Sequence, residues 1–132
     1  MAQETIGKYT LVSKIADGGM AEVYLAQVGG HGGFAKRVAV KKILPYFTKD
    51  DAFVHSFINE ARICGQLSHI NLVEVYEFSQ AEDIYYLAME FIDGFDLERI
   101  LDHLRETKRP IPVEVASSLI LQILDGLDYA HS

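Results

Sequence analysis

Apolar and polar positions alternate over residues 9–15 and 21–28, which predicts two strands joined by a turn at Gly18-Gly19. In the second strand Ala21, Val23 and Leu25 share a face. A Gly-rich connection over residues 29–36 (Gly29-Gly30-His31-Gly32-Gly33) leads to a third strand at about 37–43, which Pro45 ends. There Ala39 and Lys41 fall on one face, and Val38 and Val40 on the other. The period then becomes helical from Asp51 to Leu67, with acidic residues at the start, where the helix dipole favours them. Strands near 72–78 and 84–90 follow, joined by the polar turn Ser79-Gln80-Ala81-Glu82-Asp83. Asp96 is placed to cap a short helix with Leu97, Ile100, Leu101 and Leu104 on one side. After Lys108-Arg109-Pro110, a last helix over 113–131 carries the stripe Ala116, Leu119, Ile120, Ile123, Leu127 and Ala130. The order β-β-β-α-β-β-α-α predicts an α+β chain: a five-stranded antiparallel sheet with one packed helix, then two helices that begin a helical region. No internal repeat and no linker divides it.

Composition narrows the function classes. A chain of 132 residues is one domain or part of one, and 49% hydrophobic with 23% charged residues is ordinary for a globular fold. The net charge of −7 argues against a nucleic-acid backbone or an anionic membrane surface as the main partner. It leaves room for an anionic nucleotide, since a pocket needs only local positive charge. Cys64 is the single cysteine, which excludes an internal disulfide and fits a reducing compartment. No stretch reaches the ~18 apolar residues of a membrane span, and Met-Ala-Gln-Glu-Thr lacks the regions of a signal peptide. The expectation is a soluble, cytoplasmic protein.

Three features carry chemistry. Two glycines in a strand-to-strand turn let backbone amides approach an anion, although Gly-Gly turns also occur in many plain hairpins. Phe53, Phe57, Glu60, Ala61, Cys64 and Leu67 fall on one helical stripe, so Glu60 sits in the middle of an apolar face. For the helix alone, Glu60 reads as a residue snorkelling at the edge of that face. Lys41, on a strand otherwise made of Val and Ala, changes the balance, because a buried lysine and a buried glutamate each need the other. Its neighbour Lys42 has the opposite parity and is expected to be solvated.

Gly18-Gly19-Met20-Ala21-Glu22-Val23-Tyr24, Val38-Ala39-Val40-Lys41, Asn59-Glu60-Ala61 and Ala88-Met89-Glu90-Phe91 together resemble the small lobe of a eukaryotic-type protein kinase. The Gly-Gly-Met turn and the segment Lys36–Pro45 are most similar to bacterial serine/threonine kinases. The resemblance runs from about Tyr9 to Ser132. It implies residues 1–8 as an N-terminal extension, 9–92 as small lobe and hinge, and 93–132 as the first helices of a large lobe. It further implies ATP as cofactor and a protein substrate for a complete domain. Lys41 would contact the α- and β-phosphates and pair with Glu60. The turn from Ile15 through Ala16, Asp17, Gly18, Gly19, Met20, Ala21 and Glu22 would cover the phosphates. Val23 and Ala39 would form the ceiling over adenine, Met89 would stand as gatekeeper, Glu90 and Ile92 would offer backbone groups to the adenine edge, and Asp96 would lie near the ribose.

The sequence also departs from the family. Ala16 and Ala21 replace two of the three loop glycines, and alanine disfavours positive φ, so weaker nucleotide binding is expected. Ile70 replaces a proline in Ser68-His69-Ile70-Asn71, with an effect expected only on turn rigidity. Histidines 31, 55, 69, 103 and 131 show no ligand-like spacing, so no metal site is expected. Asp93-Gly94-Phe95 is a hinge turn and not the family's magnesium triplet. No His-Arg-Asp loop and no Asp-Phe-Gly triplet occurs in the 132 residues. The resemblance therefore implies a chain incomplete for catalysis, with magnesium bound only in a complete domain. The rival reading is a short kinase-like interaction or regulatory module without catalysis. An apolar last helix with nothing to cover it predicts self-association, fraying of residues 113–132, or capture by a partner.

Overall fold

Residues 2–132 are described by a computed structural model, His31 and Phe47 by their backbone alone. Met1 of the expected N-terminal extension and the His31 side chain lie outside the described residues. The strands are β1 (Thr5–Ile6), β2 (Tyr9–Asp17), β3 (Ala21–Gly29), β4 (Ala35–Ile43), β5 (Val75–Ala81) and β6 (Ile84–Glu90). The helices are α1 (Asp51–Cys64), α2 (Leu97–Glu106) and α3 (Val113–His131). All six strands form one antiparallel sheet in the order β1-β2-β3-β4-β6-β5. The α+β class is as expected, with six strands in place of five. Gly7, at φ +54°, turns the chain back so that Ile6 pairs with Tyr9. Two residues are too short a run to show as alternation.

Other boundaries move for local reasons. Ala81 pairs with Ile84, so the expected five-residue turn shrinks to Glu82-Asp83, with Glu82 at φ +53° and its carbonyl accepting from Gln80 Nε2 at 3.1 Å. Helix α1 stops at Cys64 rather than Leu67 because the ladder tightens there, the Gln66 and Leu67 amides bonding the Ile63 and Cys64 carbonyls three residues back at 3.1 and 3.2 Å. The Asp50 carboxylate caps its start, accepting from the Phe53 amide at 3.2 Å. Strand β2 carries two register shifts, between Leu11 and Ser13 and between Lys14 and Ala16. Each resets the alternation, which leaves Val12 and Ile15 about half exposed.

The chain divides into two compact units, Met1–Ser68 with Val73–Phe91 and His69–Leu72 with Ile92–Ser132. In the first, the alternation of β4 separates two cores. Val38 and Val40 pack with Ile6, Tyr9, Leu11, Ala26, Tyr86 and Ala88 on the face that β1 covers. Ile43 packs with Phe57, Ala61 and Leu87 on the α1 face, backed by Phe53, Phe78 and Met89. Burying a side chain such as Phe57 contributes about 1.5–3 kcal/mol, so the α1 stripe suffices to seat the helix.

In the second unit, Asp96 caps α2 as expected, accepting from the Arg99 amide at 2.8 Å. The segment His69–Leu72 lies along α3. Asn71 donates its side-chain amide to the Gln122 carbonyl at 3.0 Å, and its backbone amide to His69 Nδ1 at 3.0 Å. Gly126 permits the approach, since a Cβ there would meet Asn71 atoms at 3.3 Å. Ile70 is 95% exposed and packs against nothing.

Candidate functional site

In the first unit a cavity of about 640 Å³ is lined by Ala16, Gly18, Gly19, Met20, Ala21, Val23, Lys41, Phe53, Ser56, Phe57 and Glu60. Its floor and walls come from three elements. The β2–β3 turn is closed by a bond from the Gly18 amide to the Ala21 carbonyl at 2.9 Å, and tied to the end of β4 by the Leu44 amide on the Met20 carbonyl at 3.1 Å. Register then sets Val23 beside Lys41 across the β3–β4 ladder. Helix α1 supplies Phe53, Phe57 and Glu60 at the i, i+4 and i+7 positions of one face.

Lys41 Nζ lies 3.5 Å from Glu60 Oε1 and 5.8 Å from the Phe57 ring centroid. The two residues meet, but not in the buried setting their pattern predicts: the side chains are 30% and 55% exposed. The helical stripe is filled by Phe57 and Ala61, and Glu60 stands at its edge, facing the cavity. The expectation for Lys42 is likewise corrected. Its side chain is only 12% exposed, 3.0 Å from Glu4 Oε1 and 4.7 Å above the Tyr24 ring centroid. The N-terminal residues cover the outer face of the sheet, and the solvent lies on the cavity side instead.

The loop alanines carry no backbone strain. Among the described residues only Glu82 and Lys108 are non-glycines at positive φ, and neither Gly18 nor Gly19 is in that region. Ala16 and Ala21 therefore pay no positive-φ cost in this backbone. Gly19 meets no steric demand either: nothing lies within 4 Å of where its Cβ would stand, so the apex faces open space.

The structure does not bring every expected residue to this cavity. Ile15 is 47% exposed on the bulged strand, and Asp17 pairs with Lys14 at 3.4 Å. Glu22 turns to the outer face, where its carboxylate accepts from Tyr24 Oη at 2.8 Å and from Lys14 Nζ at 3.0 Å. These two donors hold it below the ordinary carboxylate range. Ala39 is buried opposite Met89 in the β4–β6 ladder, and Met89 packs on the α1-side core. The Glu90 amide is committed to the Glu74 carbonyl at 2.8 Å. Ile92 and Asp96 belong to the second unit, Ile92 being 59% exposed and Asp96 capping α2. Ser56 lines the cavity unforeseen, although its place four residues before Glu60 puts it on the same face. Phe53 and Phe57 also line it, in addition to their place in the core stripe.

Chemically, a lysine ammonium, a carboxylate to hold it, an open backbone apex and aromatic walls suit a ligand with an anionic end and an apolar end. The protein kinase domain family matches residues 9–132. The chain is 38% identical over 125 residues to the tyrosine-protein kinase MasK of Myxococcus xanthus, covering 95% of this chain and 19% of that protein. It is 30% identical over 125 residues to the serine/threonine-protein kinase PrkC of Bacillus subtilis, covering 95% and 18%. The crystal structure of the Mycobacterium tuberculosis PknI kinase domain superposes with a TM-score of 0.74 at 28% identity, over 99% of this chain and 51% of that one. The chain thus spans about a fifth of the length of these two curated relatives and about half of the solved kinase domain. With the match running through all but the first eight residues, the protein belongs to the protein kinase domain family.

Proposed function

We propose that this chain is the nucleotide-holding part of a bacterial serine/threonine protein kinase domain. In this reading residues 9–92 act as small lobe and hinge, residues 93–132 as the first helices of a large lobe, and residues 1–8 as an extension that contributes β1. The observation that carries it is Lys41 and Glu60 meeting at 3.5 Å on the cavity that the Gly18-Gly19 turn also lines. Lys41 meets the α- and β-phosphates, and Glu60 holds the lysine where it can do so. The open apex at Gly19 brings backbone close to phosphate oxygens. Val23 packs on the adenine side with Ala39, under the gatekeeper Met89. The adenine- and ribose-contacting positions of the family fall on Glu90, Ile92 and Asp96. ATP, when bound, supplies the transferable γ-phosphoryl group. A His-Arg-Asp base and an Asp-Phe-Gly magnesium ligand do not occur in the 132 residues, so this chain's part is to bind and orient the nucleotide.

The test is calorimetric titration of the chain with ATP and magnesium. Binding should be measurable for wild type and fall about tenfold or more for Lys41→Met, the loss expected on removing a charge-assisted contact to phosphate. Indistinguishable titrations would sink the reading. Phosphoryl transfer to a generic protein substrate should not exceed the Lys41→Met background. The exposed apolar residues of α3 favour a second reading, a kinase-like module that docks on another protein, which predicts partner binding indifferent to ATP.

A further inference from the structure

The outer face of the sheet, directly behind the cavity, holds a charge cluster that the proposed reaction does not use. Across the β3–β4 ladder Val23 pairs with Lys41 and Glu22 with Lys42. Because side chains alternate, Val23 and Lys41 line the cavity while Glu22 and Lys42 meet on the reverse side. Lys42 Nζ lies 3.9 Å from Glu22 Oε2, 3.0 Å from Glu4 Oε1 and 4.7 Å above the Tyr24 ring. Glu22 is also reached from the other arm of the hairpin, by Lys14 Nζ at 3.0 Å, which in turn reaches Asp17 at 3.4 Å. The two strands that carry the glycine turn are therefore cross-braced from outside, and the brace ends on β4, next to Lys41.

Such bracing matters because it adds to the two backbone bonds, Gly18 amide to Ala21 carbonyl and Leu44 amide to Met20 carbonyl, that close and anchor the turn. Gly18 and Gly19 have no side chains, so the position of the apex is set by those bonds and by its arms. Both central charges are enclosed, Lys42 at 12% and Glu22 at 16% side-chain exposure. Burial works against the Lys42 ammonium, yet Glu4, Tyr24 and Glu22 together hold Lys42 above the ordinary lysine value. An enclosed ion pair of this kind adds little stability compared with apolar residues of the same size, while it does fix geometry.

We propose that Lys42 is a positioning residue for nucleotide phosphates, holding the glycine turn over Lys41 through Glu22 without touching the ligand. The proposal rests on the nucleotide reading above. It separates from a merely structural role because only the phosphate end of the ligand lies under the turn.

The experiment compares ATP and adenosine binding to wild type, Lys42→Met, Lys42→Gln and Lys42→Arg in the full chain. Amide exchange at Gly18–Ala21 is followed in the same chains without ligand. Lys42→Met, matched in length and apolar, should melt near wild type, lose about tenfold in ATP affinity and keep adenosine affinity within about twofold. Lys42→Arg should restore ATP binding, and exchange at the turn should quicken in the Met and Gln variants. Equal losses for ATP and adenosine, or unchanged ATP affinity, would overturn the proposal. So would unchanged exchange, a result that needs no nucleotide. A wild-type chain that binds neither ligand removes the nucleotide reading itself.

Discussion

Lys41 and Lys42 are chain neighbours of one type, yet one faces solvent and the other is enclosed, and the difference lies in what covers each face of β4. Tyr9 shows the same dependence on cover. It is 2% exposed, stacked edge-on against Tyr86 with ring centroids 5.9 Å apart, and donates its hydroxyl to Glu77 Oε2 at 2.7 Å. Burial first, then the Glu77 bond, pushes the phenol up to about 12. The folded state thus keeps this proton more tightly than the unfolded chain, whose tyrosine titrates near 10. Its contribution to stability should be complete below about pH 10 and be lost as pH rises through 12. Denaturant melts between pH 9 and pH 12 should show the loss in wild type, and Tyr9→Phe should flatten it. An equal slope in both would refute the assignment. At this scale parity was legible in the sequence and exposure was not. Alternation correctly put Lys41 with Ala39 on one face, which in the structure is the α1 side, but no periodicity reports that Glu4 folds over Lys42.

Elements were legible where their period is long and their ends carry chemistry. Helices α2 and α3 run as read, because the five turns of apolar spacing in α3, and the nearly three turns plus the Asp96 cap in α2, leave few alternatives. Strand β1 and the two bulges of β2 were not, since each is an event of one or two residues fixed by the partner strand. The hinge of the N-terminal hairpin gives a sharp test. Gly7 is at φ +54°, and a Cβ there would meet Tyr86 Oη at 2.5 Å. Gly7→Ala should cost about 1–3 kcal/mol from left-handed strain and crowding together. Chemical denaturation reads it directly, and a loss below about 0.5 kcal/mol would mean that the hairpin does not pack as described.

At the scale of the whole molecule, the apolar side of α3 stands exposed to water. Ile120, Leu121, Ile123, Leu124 and Leu127 are 56%, 67%, 51%, 54% and 44% exposed. Water in contact with so continuous a patch favours association. Sedimentation of the 132-residue chain should therefore show concentration-dependent self-association, relieved by pairing Leu121→Lys with Leu124→Glu. A monomer at all concentrations would contradict it. Ile120, Ile123 and Leu127 belong to the stripe read from the sequence, whereas Leu121 and Leu124 do not and Ala116, Leu119 and Ala130 are half-buried. Which side stays uncovered required coordinates, because a periodic pattern names a face and not its neighbour. Strand order has a different consequence, in time rather than in space. Strands β1 to β4 are neighbours both in sequence and in the sheet, so they can zip together through short closures. Strand β6 reaches β4 only after α1 and β5 have been strung between them, a longer loop and a later, slower closure. Leu11→Ala should accordingly slow refolding in a stopped-flow chevron, whereas Leu87→Ala should chiefly hasten unfolding. The sheet that seats Lys41 would then be assembled first around its glycine hairpin, and the strand bearing Met89 would be the last to arrive.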